Sequence, residues 1–76
     1  MNDIARVTEI TARSERSFED AVQSGLDRAS ATLRNVEGAW IKDQKIAMRD
    51  GKVDSYQVDM LVTFVLDDDQ TVAQNA

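Results

Sequence analysis

The sequence predicts an α+β subunit in which a three-stranded antiparallel sheet, built in the order β-α-β-β, wraps around one helix. Apolar residues alternate over residues 56–66, which is typical of a strand. Over residues 15–34 they recur every three or four positions, which is typical of an amphipathic helix. Asp50-Gly51 separates two apolar stretches, as in a β-hairpin turn. With 76 residues, the chain is expected to form a single domain, residues 1–76.

Composition excludes several classes of function. The chain has a net charge of -5, so it lacks the basic footprint of a nucleic-acid-binding protein. It contains no cysteine and no histidine, which excludes disulfides, Cys/His zinc sites and His-based catalytic sets. No apolar run approaches the roughly 20 residues of a membrane span, and no signal pattern is present. We therefore expect a cytoplasmic protein that is not an enzyme.

The first strand and the helix follow from local composition. Residues 4–11 are rich in β-branched side chains and predict a strand. Ser14 is the expected N-cap of a helix over about residues 15–34. Gly25 lies within its apolar stripe, which indicates a close approach of helix and sheet. The stripe consists of Phe18, Ala21, Val22, Gly25, Leu26, Ala29 and Leu33.

The second strand is expected over residues 39–48, and it needs an irregularity. Ala39 and Ile41 have one parity, whereas Ile46 and Met48 have the other. A strand can place all four on one face only if a bulge intervenes, and we expect it near Asp43-Gln44. By simple alternation, Trp40, Lys42 and Gln44 would all point away from the helix.

The third strand, residues 53–66, has two faces of different character. Its even-numbered residues from 56 to 66 are all apolar or aromatic, whereas the odd-numbered face combines Gln57 and Asp59 with Leu61 and Val65. A solvated face should be polar, so the apolar residues indicate contact with other subunits. Fourteen strand residues span about 46 Å, and the helix only roughly 28 Å. The strand must therefore project beyond its own subunit or curl around the helix.

Three stretches resemble the dodecin family, without gaps, over about residues 4–68. They are 11–14 (TARS) with 17–18 (SF), 26–29 (LDRA), and 50–53 (DGKV) with 56–58 (YQV) and 62–66 (VTFVL). The resemblance implies a hollow homododecamer that binds a flavin (riboflavin, FMN or FAD) between subunits, for storage, sequestration or buffering. Because the chain is acidic and polar after the third strand, we also expect an ordered core of about residues 4–68 and a loose tail beyond it.

The resemblance implies five candidate flavin-binding residues: Gln57, Trp40, Gly38, Asp43 and Gln44. Gln57 matches the glutamine that hydrogen-bonds the flavin ring in the family, and its amide offers both a donor and an acceptor. Gly38 corresponds to the tryptophan on which many dodecins stack the flavin, so that ring is missing here. Trp40, two residues on, either replaces it or packs in an interface. An acidic side chain near Asp43 approaches the ligand or an axial ion in the family.

The missing ring leaves a second interpretation open. In this interpretation, the chain forms a dodecin-like structural or metal-ion-binding assembly that binds no flavin. Residues 67–69 (DDD) lack the spacing and glycine of a calcium loop, so a solvated strand end is expected there.

Overall fold

The computed structural model describes residues 3–67 and has the expected order of elements. The elements are β1 (Ala5–Ser14), α1 (Phe18–Thr32), β2 (Val36–Arg49) and β3 (Lys52–Val65). They form one sheet in the order β1-β3-β2, and both pairings are antiparallel. The predicted fold class is confirmed. The predicted loose tail lies outside the described residues.

The core lies between α1 and one face of β3, the central strand. Val58, Met60 and Val62 are fully buried there. The helix faces them with small residues, Ala21, Gly25 and Ala29, which allow close packing. A Cβ atom at Gly25 would lie 2.6 Å from Met60 Cε and 3.0 Å from Ala12 Cβ. The predicted close approach at Gly25 is therefore confirmed.

The helix starts later than the sequence indicated. Its N-cap is Ser17, whose Oγ accepts a hydrogen bond from the Asp20 N–H at 3.0 Å. Ser14, the predicted cap, still belongs to β1 and pairs with Tyr56. Its buried Oγ accepts from the N–H of Arg16 at 2.9 Å and donates to the Asp20 carboxylate at 2.6 Å. Ser14 therefore holds the β1–α1 connection, and the prediction was wrong by three residues.

The helix also ends earlier than expected, at Thr32. Leu33 is already extended, and Asn35 has a positive φ of 60°. The Asn35 side chain donates to the backbone carbonyl of Val65 at 3.0 Å, which ties the helix exit to the end of β3. Arg34 lies outside the helix and forms an ion pair of 3.0 Å with Asp67. Asp67 is thus anchored to the helix exit.

Three irregularities interrupt the register between β2 and β3, and one of them is the predicted bulge. It lies between Ile41 and Asp43. Because of it, Ala39, Ile41 and Ile46 lie opposite Val62, Met60 and Tyr56, on the side of the sheet that faces α1. Met48 lies beyond a further register shift, opposite Val53. The irregularities between Val36 and Gly38 and between Ala47 and Met48 were not predicted.

The β2–β3 hairpin extends past the helix. The 15 residues of α1 span about 22 Å, whereas the described chain is 59 Å long along its principal axis. Ile46, Met48 and Val53 are consequently exposed in the isolated subunit. The hairpin turns at Asp50 and Gly51, both with positive φ. Of the two alternatives for β3, the structure supports projection. No helix within residues 3–67 is long and apolar enough to cross a bilayer.

Candidate functional site

The candidate site lies on the face of the sheet that points away from α1, which we call the outer face. On β3 it carries the odd-numbered residues from Gln57 to Val65, all of them partly buried although no helix covers them. Directly opposed residues of neighbouring strands share a face. The register therefore arranges the outer face in rows across β1, β3 and β2: Arg13–Gln57–Lys45, Thr11–Asp59–Asp43, Glu9–Leu61–Trp40 and Val7–Thr63–Gly38.

The Gln57 amide is held at both of its polar atoms. Arg13 Nε donates to Gln57 Oε1 at 3.0 Å. Gln57 Nε2 donates to Asp59 Oδ1 at 3.1 Å. Thr11 Oγ1 donates to the same carboxylate oxygen at 3.0 Å. Four side chains on two strands therefore form one chain of hydrogen bonds, which fixes the position of the amide.

This network still leaves Gln57 able to bind a ligand. A primary amide has two donor hydrogens and two acceptor lone pairs. Arg13 occupies one lone pair of Oε1, and Asp59 occupies one hydrogen of Nε2. One acceptor and one donor remain, so the amide can still pair with a complementary donor and acceptor on a ligand.

One subunit does not bring all the predicted site residues together. Asp43 lies one row from Gln57, two residues along β3. Trp40 lies opposite Leu61, which is about 13 Å from Gln57 along the strand. Gly38 lies opposite Thr63, about 20 Å away. Gln57 and Asp43 thus share one end of the outer face, whereas Trp40 and Gly38 share the other.

Gln44 lies on the side of the sheet facing α1, and its predicted orientation was wrong. It pairs with Val58, a core residue, because the bulge between Ile41 and Asp43 reverses the alternation of β2. Lys42 does lie on the outer face, where its Nζ is 3.4 Å from the Glu9 carboxylate. Trp40 also lies there, as predicted.

The sequence prediction overlooked Arg13 and Asp59, the two hydrogen-bond partners of Gln57. Arg13 lies 44 residues from Gln57 in the chain, and the signal that would have found it is the pairing of β1 with β3, which places Arg13 opposite Gln57. Asp59 is two residues from Gln57 on the same face of β3, so the alternation of that strand already places it beside the amide.

Comparison with known proteins identifies the family. The family model described as Dodecin matches residues 4–67 of the 76. The chain belongs to the dodecin family. The dodecin of Streptomyces davaonensis is 34% identical, with a TM-score of 0.85 over 90% of this chain and 100% of the other. That of Streptomyces coelicolor is 31% identical, with a TM-score of 0.83 over 88% of this chain and 96% of the other.

A further relative differs in the ligand named for it. The calcium dodecin of Mycobacterium tuberculosis, described as a calcium-chelating antigen with a calcium-binding site, is 24% identical. Its TM-score is 0.74 over 86% of this chain and 93% of the other, and it shares the fold. Comparison with curated protein sequences gives no significant match.

The position where many dodecins carry a stacking ring is open in this dodecin. A Cβ atom at Gly38 would meet no atom within 4 Å. Trp40, two residues on and on the same face, is 71% exposed in the isolated subunit. Its indole therefore makes little contact within its own subunit and is free to contact another molecule.

Two further features of this dodecin involve residues of the outer face. A cleft of about 470 Å³ lies between β1 and α1, with Arg13 and Arg28 among its lining residues. Asp43 and Asp59 are directly opposed carboxylates. Within residues 3–67, no three or more carboxylate, histidine or cysteine side chains form a group that could hold a metal ion.

Proposed function

We propose that this dodecin binds a flavin (riboflavin, FMN or FAD) in a homododecameric shell in the cytoplasm, and that it stores or buffers the ligand without catalysing a reaction. The single observation that carries the proposal is the anchored amide of Gln57 on the outer face, with one donor and one acceptor still available. Family membership adds to it, because dodecins typically bind flavins and assemble as homododecamers.

The chemistry of the amide fits a flavin. The pyrimidine edge of the flavin ring carries carbonyl oxygens and an N–H, which match the remaining donor and acceptor of Gln57. A neutral hydrogen bond contributes only about 0.5–1.5 kcal/mol net, whereas leaving a buried partner unpaired costs about 1–3 kcal/mol. The amide therefore contributes mainly to selectivity, and the affinity has to come from stacking and apolar contact.

The position of Trp40 favours a site shared between subunits. Trp40 lies opposite Leu61, which is about 13 Å from Gln57 along β3. This is a large distance for a single flavin ring to bridge within one subunit. In a shell, the outer face of a second copy brings its own Trp40 against the ligand held by Gln57. Leu61 and Val65, partly buried apolar residues of the outer face, would lie in the same interface.

A titration with riboflavin tests the proposal. Flavin fluorescence should be quenched on adding the protein, and Gln57→Leu should weaken binding by a factor of roughly 5 to 100. Gln44→Leu is the matched control, since Gln44 lies on the opposite side of the same sheet, and its affinity should equal that of the wild type. Size-exclusion chromatography should show the same assembly for all three proteins.

The riboflavin titration and the size-exclusion chromatography have separate consequences. Absence of quenching by the wild-type protein would contradict flavin binding. Equal affinities of the wild type and Gln57→Leu would leave flavin binding in place and remove Gln57 from the site. Loss of assembly in Gln57→Leu would assign Gln57 to the subunit interface instead.

The second candidate function is a dodecin shell that binds a metal ion, or serves a structural role, and takes up no flavin. The observation that favours it is the opposed pair Asp43 and Asp59, because like charges directly across a sheet repel and a cation would relieve the repulsion. Calorimetric titration with Ca²⁺ distinguishes it from the first candidate. A heat of binding that disappears in Asp43→Asn, together with no flavin binding, would establish the second candidate.

A further inference from the structure

We infer that Arg13 and Asp59 fix the orientation of the Gln57 amide and thereby make the site selective for cyclic imides, rings with an N–H between two carbonyl groups. The inference rests on the proposed function and narrows it. It assigns the selectivity of the site to two residues that are not among the five candidate flavin-binding residues of the sequence.

The orientation of the amide follows from the charges of its neighbours. Oε1 faces the Arg13 N–H, and Nε2 faces the Asp59 carboxylate. If the amide rotated by 180°, its NH₂ group would face a donor and its oxygen would face an anion. Both contacts would then be repulsive. Hydrogen bonds to charged groups are stronger than those between neutral groups, so the opposite orientation is strongly disfavoured.

Asp59 is itself held in place, which makes the orientation depend on the fold of the sheet. Its Oδ1 accepts hydrogen bonds from both Thr11 and Gln57. Thr11 and Arg13 are on β1, whereas Gln57 and Asp59 are on β3, and the register places them in two adjacent rows. The pairing of β1 with β3 therefore positions all four groups.

The fixed amide and Arg13 together offer donors and one acceptor to a ligand. The guanidinium has five N–H groups in one plane, of which Gln57 uses one. Oε1 keeps one acceptor position, and Nε2 keeps one N–H. An imide edge carries the complementary groups, an N–H between two carbonyl oxygens. A ring whose central nitrogen carries a substituent cannot donate to Oε1 and leaves that oxygen unpaired.

Two probes measure this selectivity directly: riboflavin and N3-methylriboflavin, in which the imide N–H is replaced by a methyl group. The wild-type protein should bind riboflavin about tenfold more tightly or better, since one hydrogen bond is lost and one buried oxygen is left unpaired. The affinity ratio of the two probes is the readout. A purely structural role of Arg13 and Asp59 would change both affinities together and leave the ratio as it is.

The test variant is the double substitution Arg13→Met with Asp59→Leu, which removes both constraints on the amide. Its affinity ratio should fall about threefold or more below the wild-type ratio. The matched control removes the same residue types from the hairpin, Arg49→Met with Asp54→Leu, a pair whose Nε and Oδ1 atoms are 3.7 Å apart. Its ratio should equal that of the wild type.

Each outcome decides between the alternatives. A ratio in the double variant equal to the wild-type ratio, with assembly intact, overturns the inference and leaves flavin binding untouched. If the double variant does not assemble, the single variant Arg13→Met provides the test, and an unchanged ratio overturns the inference in the same way. If the wild-type protein binds neither probe, the proposed function and the inference both fail.

Discussion

The contact between Gly25 and Met60 allows the packing of α1 on the sheet to be tested by a double-mutant cycle. Gly25→Ala would place a methyl group 2.6 Å from Met60 Cε and 3.0 Å from Ala12 Cβ. Met60 is fully buried and its Cε is the end of a flexible side chain, so it can move aside only by repacking within the core. The substitution therefore forces either the methionine or the helix to shift.

Two opposing terms set the effect of Gly25→Ala alone. Alanine stabilises a helix by about 1 kcal/mol relative to glycine. Overpacking a core costs about 1–3 kcal/mol. The net expectation is a loss of stability of up to about 2 kcal/mol, whereas an exposed helical glycine would give a gain.

Met60→Val changes the sign of this effect. It costs less than the about 2–5 kcal/mol typical of Met→Ala, since valine retains two carbon atoms beyond Cβ and suits a strand. It also removes Met60 Cε, the nearest atom to the new methyl group at residue 25. In this background Gly25→Ala should be stabilising. The coupling free energy between the two sites should be about 1–3 kcal/mol.

Equilibrium unfolding in urea measures the cycle. All four proteins must be compared at one protein concentration, because assembly makes the apparent stability depend on concentration. Gly38→Ala combined with Met60→Val is the control, since a Cβ atom at Gly38 meets nothing within 4 Å. If the effects of Gly25→Ala and Met60→Val add to within about 0.5 kcal/mol, the contact does not limit the packing of the helix.

Two further predictions concern the outer face. Leu61→Asp should dissociate the assembly, because it places a charge in a partly buried apolar position. Sedimentation velocity would show a smaller particle. A stable monomer of the unmodified protein would contradict the existence of this interface. Trp40→Ala should weaken riboflavin binding by roughly 1–3 kcal/mol if the indole stacks on the ring, and Gly38→Trp should tighten it because the space at Gly38 is open. Fluorescence titration measures both, and unchanged affinities would assign Trp40 to packing.

The sequence was informative where a periodic pattern acts over many residues. The alternation of β3 identified Val58, Met60 and Val62 as the buried face without any knowledge of the register. The parity conflict in β2 required a bulge, and the structure has one beside Asp43. Both predictions depend on local rules, because side-chain direction in a strand follows from position along the chain.

The sequence was less informative about where helices and strands begin and end, and about contacts between residues that are far apart in the chain. Ser14 and Ser17 are equally good N-caps by residue type, and the choice between them depends on how far β1 continues. Gln44 was assigned to the wrong side of the sheet because the exact position of the bulge decides it. The contact of Gln57 with Arg13 depends on the pairing of β1 with β3, because the two residues are 44 apart in the chain.

The irregularities of β2 also bear on what happens when this protein is concentrated. β2 is an edge strand, and a regular edge strand can recruit the edges of other copies without limit, as in fibres. The extra residues of β2 at Glu37 and Lys42, together with the charged side chain of Lys45, interrupt the row of hydrogen-bonding groups that such recruitment needs. Addition of further strands at this edge is thereby disfavoured, which leaves β1, whose ten residues pair with β3 without a register shift, as the more regular edge of the sheet.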